Sequence, residues 1–191
     1  MRMVFGGNGM EESYVDNMTF VLFGGTGDLA KRKIYPALYN LFIDKKMPEA
    51  FSIIALGRRE QSSADFQQNV AKSLQTFSRR TVNDPAALEA FLQTIRYTVL
   101  DANQVEDYHK LRSLVESREQ ELNIPQNRMF YLSVAPEFFD VIALNIKDSG
   151  LGSTSGWKRL IIEKPFGHDL QSARHLNEQL SKAFDESEVY R

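Results

Sequence analysis

Cysteine is absent from all 191 residues, which excludes a disulfide framework, a cysteine-ligated zinc site and a thiol nucleophile. Histidine is scarce. His109, His168 and His175 fall on separate helical patterns or their entrances, without the i, i+4 spacing of a metal-binding helix, so no metal site is expected. An excess of one charge is also missing: the net charge is −2, and no basic field marks a nucleic-acid surface. Long apolar runs are lacking too. The longest cover about four to six residues, far short of a membrane span, and Met3-Val4-Phe5 is too short for a secretory signal. These absences lead us to expect a soluble, cytoplasmic protein.

What is present is ordinary for a globular chain: 42% hydrophobic and 25% charged residues. The length suits one domain with room for little else. With Gly6-Gly7-Asn8-Gly9 near the start, residues 1–16 read as a flexible leader and residues 17–191 as the folded domain.

Short apolar runs alternate with longer amphipathic ones. Met18–Phe23 reads as a buried strand stopping at a glycine cluster. Asp28 opens a helical pattern to about Lys45, with a kink or break expected near Tyr35 because Pro36 lies inside it. Phe51–Leu56 is a second strand. Ser62 or Ser63 caps a helix to about Phe77, and Asp84-Pro85 opens another. Arg96–Leu100, Arg128–Val134 and Leu160–Ile162 supply further strands, and Val189-Tyr190 begins a sixth. Between them run helices from about Gln104 to Leu122, from Pro136, and from Asp169 to about Phe184. Strand and helix in strict alternation predict an α/β fold, a Rossmann-like, doubly wound and mainly parallel sheet covered on both faces.

Gly25-Thr26-Gly27-Asp28-Leu29-Ala30 fits G-x-G-x-x-A directly after a strand and at a helix start. Gly25 permits the tight turn, Gly27 lets backbone approach a pyrophosphate, and Ala30 packs helix against strand. The diphosphate would then lie on free helix N–H groups. A P-loop is disfavoured, because no Gly-Lys-Ser/Thr follows. At the end of the second strand an NAD protein usually carries a carboxylate for the ribose hydroxyls. Here that strand ends in Gly57-Arg58-Arg59. A guanidinium forms forked bonds to a 2′-phosphate that a carboxylate would repel, so NADP is favoured over NAD. The plainer alternative makes Arg58 and Arg59 solvated loop residues. Lys31-Arg32-Lys33 stays open between a solvated face and help to the phosphates.

Three segments carry a family resemblance. Gly24 to Leu38 (GGTGDLAKRKIYPAL), Phe130 to Pro136 (FYLSVAP) and Glu163 to Gly167 (EKPFG) resemble, in order and spacing, motifs of glucose-6-phosphate dehydrogenases. The match covers about Met18 to Arg191. It implies that Gly24, Gly25, Thr26, Gly27, Asp28 and Leu29 surround the pyrophosphate of NADP. It implies further that Arg58 holds the 2′-phosphate with help from Arg59, and that Ser133 lines the nicotinamide side. Lys164 would reach both cofactor and glucose 6-phosphate. Lys164 also stands at the carboxyl end of a predicted parallel strand, where ligands of such sheets bind, and Pro165 restricts its backbone. Some relatives carry Tyr where this chain has Phe139.

The resemblance implies oxidation of glucose 6-phosphate to 6-phosphogluconolactone in the pentose phosphate route. It also implies a further α+β domain for substrate binding and subunit contacts, and a homodimeric or homotetrameric full-length protein. In the family a histidine of that domain takes the sugar proton, and it follows an Ile-Asp-His-Tyr-Leu-Gly-Lys-Glu motif that lies after Tyr-Arg. This chain ends at Tyr190-Arg191. No catalytic residue is therefore assigned here, and the 191 residues alone are expected to bind NADP and turn over nothing. A short-chain dehydrogenase is excluded, since no tyrosine has lysine four positions later. A non-catalytic NADP-sensing or protein-binding module remains as the alternative.

Overall fold

The computed structural model describes residues 16–80, 82–163 and 169–191. Six parallel strands form one sheet in the order β3-β2-β1-β4-β5-β6. They are β1 (Met18–Phe23), β2 (Phe51–Gly57), β3 (Ile95–Val99), β4 (Arg128–Leu132), β5 (Lys158–Ile162) and β6 (Val189–Tyr190). The connecting helices are α1 (Tyr35–Ile43), α2 (Ser63–Phe77), α3 (Pro85–Gln93), α4 (Val105–Leu122), α5 (Phe139–Asp148) and α6 (Leu170–Ser181). This is the doubly wound arrangement expected from the alternating pattern.

Strand β1 lies at the centre, and all six of its residues are buried. Its side chains divide by the two-residue period of a strand. Met18, Phe20 and Leu22 join Ile53, Ala55, Met129 and Tyr131 under α1, α2 and α3. Val21 and Phe23 join Ile54, Leu56, Phe130 and Leu160 on the face covered by α4, α5 and α6. A strand buried on both faces is apolar along most of its length, Thr19 being the exception in β1, and that is why it was readable as an apolar run.

Helices α2, α3 and α6 start where a side chain satisfies a free N–H group of the first turn. Ser62 Oγ accepts from Asp65 N at 3.0 Å. Asp84 Oδ1 accepts from Ala87 N at 3.1 Å with Pro85 in the first turn, and Asp169 Oδ1 accepts from Ser172 N at 2.7 Å. The irregularity expected near Tyr35 takes the form of a π-helical turn, Ala30–Ile34, immediately before α1. There Tyr35 N–H reaches the Ala30 carbonyl, five residues back. Widening at this point accommodates Pro36, which has no N–H and whose ring crowds the preceding turn. The helix then ends at Ile43, short of Lys45, because Lys45 is left-handed (φ 56°) and Lys46 N returns to the Leu41 carbonyl at 2.8 Å.

Three other elements shift their boundaries. Strand β4 stops at Leu132, before the expected Val134, because β1 turns away at Gly24. Strand β3 begins at Ile95 and ends at Val99, one residue earlier than expected at each end. Helix α6 ends at Ser181, and Phe184 beyond it is buried in the core. Of the proposed leader, residues 1–16, all but Asp16 lie outside the described residues, as does the Lys164–His168 segment.

The amino edge of the sheet is closed by side chains. Arg128, 1% exposed, forks onto Glu119, 4% exposed, through Nε to Oε2 at 3.0 Å and Nη2 to Oε1 at 2.8 Å. Its third donor, Nη1, reaches the Leu151 carbonyl at 2.8 Å. With both charges buried, the fork and the added carbonyl are what make the pair tolerable. Nearby, Asn127 donates to the Asn17 carbonyl at 3.0 Å and accepts from Trp157 N at 3.0 Å. Asn17 Oδ1 in turn accepts from Ala50 N at 3.1 Å.

Candidate functional site

The carboxyl edge is built differently. Strands β2 and β4 flank β1, and the chain runs outward in opposite directions from that pair, which leaves a crevice above the β1–β4 boundary. Into it rises the turn after β1. Gly24 has φ +78°, and a Cβ there would lie 1.9 Å from the Ser133 carbonyl oxygen. Only glycine lets this turn cross the exit of β4.

Gly25 sits deeper. Its N–H donates to the Leu56 carbonyl at 2.8 Å, and the buried Tyr35 phenol donates to the Gly25 carbonyl at 2.6 Å. Burial pushes the Tyr35 phenol well above its ordinary pKa, so it stays a donor. Gly27 donates to the Gly24 carbonyl at 3.0 Å. A Cβ on Gly27 would meet only that carbonyl, at 3.2 Å, among the described residues. The turn is thus tied down from below and open above.

Asp28 and Leu29 begin the helix, Asp28 exposed and Ala30 fully buried against the core. The first N–H groups of a helix have no intrahelical acceptor, so they and the glycine turn present donors at the crevice. Such a site takes an anion held close to backbone.

Two cavities open on this edge and share Ser133, Val134 and Ala135 as a ridge between them. The first has a volume of about 580 Å³. Gly24, Thr26, Gly27, Gly57 and Arg58 border it on one side, and Leu100, Ala102, Phe138 and Ile142 make an apolar wall. Its carboxylates are engaged with backbone: Asp101 Oδ1 accepts from Asn103 N at 2.9 Å, and Asp107 Oδ2 accepts from Asp101 N at 2.8 Å. The second is bordered by Leu29, the ridge, Phe139, Glu163 and His175. Glu163 accepts a hydrogen bond from the Tyr131 phenol, whose pKa is raised first by burial and then by that carboxylate.

Of the residues singled out from sequence, Gly24, Thr26, Gly27, Arg58 and Ser133 meet around the first cavity, and Leu29 and Ser133 border the second. Gly25 lies beneath as a support. Arg59 is exposed and borders neither cavity, but its carbonyl is held by Tyr97. Lys164 falls outside the described residues. Arg32 turns away from the crevice: Nε pairs with Asp28 Oδ1 at 3.0 Å, and its guanidinium lies 4.8 Å from the Phe77 ring centre. Lys31 and Lys33 are exposed and border neither cavity. Among the described residues, no three His, Asp or Glu gather in a metal-binding cluster. Nor is any helix there long and apolar enough to cross a membrane.

Sequence reading missed Tyr35, Tyr97 and the Leu100–Ala102 wall. The wall follows β3 directly, so the rule that ligands sit at carboxyl ends of strands could have found it. The two tyrosines act through contacts that no spacing reveals.

Residues 21–191 match the family model described as glucose-6-phosphate dehydrogenase, NAD binding domain. This chain belongs to the glucose-6-phosphate dehydrogenase family. It is 40% identical over 182 residues to the glucose-6-phosphate 1-dehydrogenase of Bacillus subtilis, covering 95% of this chain and 36% of that protein. It is 38% identical over 169 residues to the Leuconostoc mesenteroides enzyme, covering 88% of this chain and 34% of that one. The chain therefore spans about a third of the curated relatives it matches. A solved glucose-6-phosphate dehydrogenase in complex with its substrate glucose 6-phosphate superposes with a TM-score of 0.84 at 32% identity, over 95% of this chain and 37% of that one. A Mycobacterium avium glucose-6-phosphate 1-dehydrogenase shares the fold, with a TM-score of 0.78 at 24% identity. As a member of the family, the chain is its nucleotide-binding domain.

Proposed function

We propose that this domain binds NADP, in preference to NAD, as the hydride-accepting half of an enzyme that oxidises glucose 6-phosphate to 6-phosphogluconolactone. The observation that carries the cofactor choice is Arg58, which borders the first cavity at the end of β2 beside Gly57 and Thr26. The two residues that follow Gly57 are arginines, where a carboxylate would favour free ribose hydroxyls.

The crevice fits a dinucleotide. Gly24, Gly25, Thr26, Gly27, Asp28 and Leu29 would surround the pyrophosphate, using backbone donors and the positive helix end. The apolar wall of Leu100, Ala102 and Phe138 would take the base, while Arg58 would hold the 2′-phosphate with Arg59 adding positive field. Ser133, on the ridge, would lie beside the nicotinamide. When bound, NADP supplies the hydride acceptor. Glu163 fixes the exit of β5 through Tyr131, and Lys164, the next residue, would contact both sugar phosphate and cofactor. None of the histidines is proposed as the base; by resemblance that role belongs to a further domain, so these 191 residues alone would bind without turnover. A cytoplasmic, homodimeric or homotetrameric full-length protein is part of the same reading.

Titration with NADPH and NADH tests the cofactor assignment. NADPH should bind more tightly, and Arg58→Ala should weaken it by about 10–100-fold, the worth of bonds to a charged group. NADH should be unaffected. Equal affinities of the unaltered protein for the two nucleotides would sink the assignment.

A further inference from the structure

Arg58 is exposed and stands outside regular secondary structure, just beyond the end of β2. A long side chain on a free turn would have to be ordered each time a ligand binds, at a cost in affinity. The backbone around it is not free. On one side, the Gly57 carbonyl accepts from Leu100 N at 2.9 Å. On the other, the Arg59 carbonyl accepts from the Tyr97 phenol at 2.5 Å. The two bonds bracket Arg58.

Tyr97 is itself held firmly. It lies on the edge strand β3, where its backbone N–H donates to Ser63 Oγ at 3.0 Å. Its ring stacks on Phe66, with centroids 4.9 Å apart and planes inclined by 26°. The hydroxyl lies so close to the end of β2 that a Cβ on Gly57 would come within 2.6 Å of it. Thr26, from the glycine turn, would be 2.7 Å from the same Cβ. Gly57 is therefore the point where phosphate turn, arginine turn and Tyr97 meet.

We propose that Tyr97 is a positioning residue for coenzyme selectivity: its hydroxyl fixes the Arg58-Arg59 turn so that the Arg58 guanidinium faces a 2′-phosphate. The proposal rests on the reading of Arg58 as the 2′-phosphate ligand. Tyr97 does not border either cavity and need not touch the nucleotide. Its effect reaches the ligand only through Arg58. It should therefore be felt by NADPH, which carries the 2′-phosphate, and not by NADH.

The test is Tyr97→Phe in the full chain, which keeps the ring and its stacking on Phe66. NADPH affinity should fall about fivefold, the usual worth of one neutral hydrogen bond, while NADH affinity stays within about twofold. In an Arg58→Ala background the same substitution should change neither affinity, because the group it positions is gone. Equal weakening of both nucleotides would make Tyr97 merely structural and overturn the proposal, as would no change in either. A loss of NADPH affinity that persists undiminished in the Arg58→Ala background would overturn it too. If Arg58→Ala removes the preference and Tyr97→Phe does not lessen it, the positioning role fails while the cofactor assignment survives. If the unaltered protein shows no preference, the assignment fails and takes the positioning role with it.

Discussion

The two edges of the sheet are made from the same strands and could hardly differ more. At the amino edge the charge that opens β4 is spent on the protein itself, with Arg128 giving three donors to Glu119 and Leu151. At the carboxyl edge the glycine turn is anchored underneath by Tyr35 and Leu56 and leads into a helix whose first N–H groups have no intrahelical acceptor. One edge satisfies its charges internally and holds the fold. The other withholds them for a ligand. A buried cation at the amino edge is matched to a buried anion, whereas the Arg58 guanidinium has been left exposed at the crevice.

Substitutions should separate the two edges. The largest effect is expected from Glu119→Ala, which strands the Arg128 charge in the interior and should cost about 3–5 kcal/mol of stability. Urea denaturation measures it, and the ratio of NADPH to NADH affinity in the surviving folded protein should not move. A shift in that ratio would mean the edges are coupled. Next comes Gly24→Ala, where a left-handed backbone costs about 1–3 kcal/mol before any overlap with Ser133 is counted. Here stability and nucleotide affinity should fall together, because the same turn serves both. A stable variant that loses only binding would place the strain elsewhere.

The smallest effect concerns Asp44 at the end of α1, which receives a forked bond from Arg80 at 2.5 and 2.9 Å. That hydrogen bonding, followed by the positive charges of Arg80 and Lys46, holds the Asp44 carboxyl below its ordinary pKa. A lowered carboxyl favours the folded state above its unfolded pKa, near 4, and the benefit fades as pH falls through the folded value. Comparison of wild type with Asp44→Asn should show a modest melting-temperature advantage at neutral pH that closes under acid. An advantage undiminished in acid would assign it to something other than the ionised pair.

Much of this arrangement was legible in the chain. A strand buried on both faces is a mostly apolar run, interrupted by Thr19 in β1 and Ser52 in β2, so both strands announced themselves, and the glycines that end them marked the edge where a ligand sits. Asp84-Pro85 and Asp169 gave helix starts because capping is local chemistry. Alternation gave the parallel, doubly wound sheet, whereas the strand order β3-β2-β1-β4-β5-β6 needed the structure. What stayed hidden depends on partners far apart in sequence: Tyr97 meets Arg59 across 38 positions. Arg128 read as an ordinary strand opener, and nothing near it predicts that its partner lies one turn before the end of α4. The Pro36 kink was foreseen, but its form, a π turn placed ahead of the proline, needed the backbone itself.

Asn17 and Asn127, joined across the amino edge, stand 110 positions apart. The central strand β1 therefore leaves the ribosome long before β4 exists to flank it. At ordinary synthesis rates of about 5–20 residues per second, the wait is on the order of 5–20 s. During that interval β1 can pair with β2 alone, and its other side is an unprotected apolar ribbon. Nascent chains of this domain should be most prone to aggregate, and most in need of a chaperone, in the window that closes when β4 arrives.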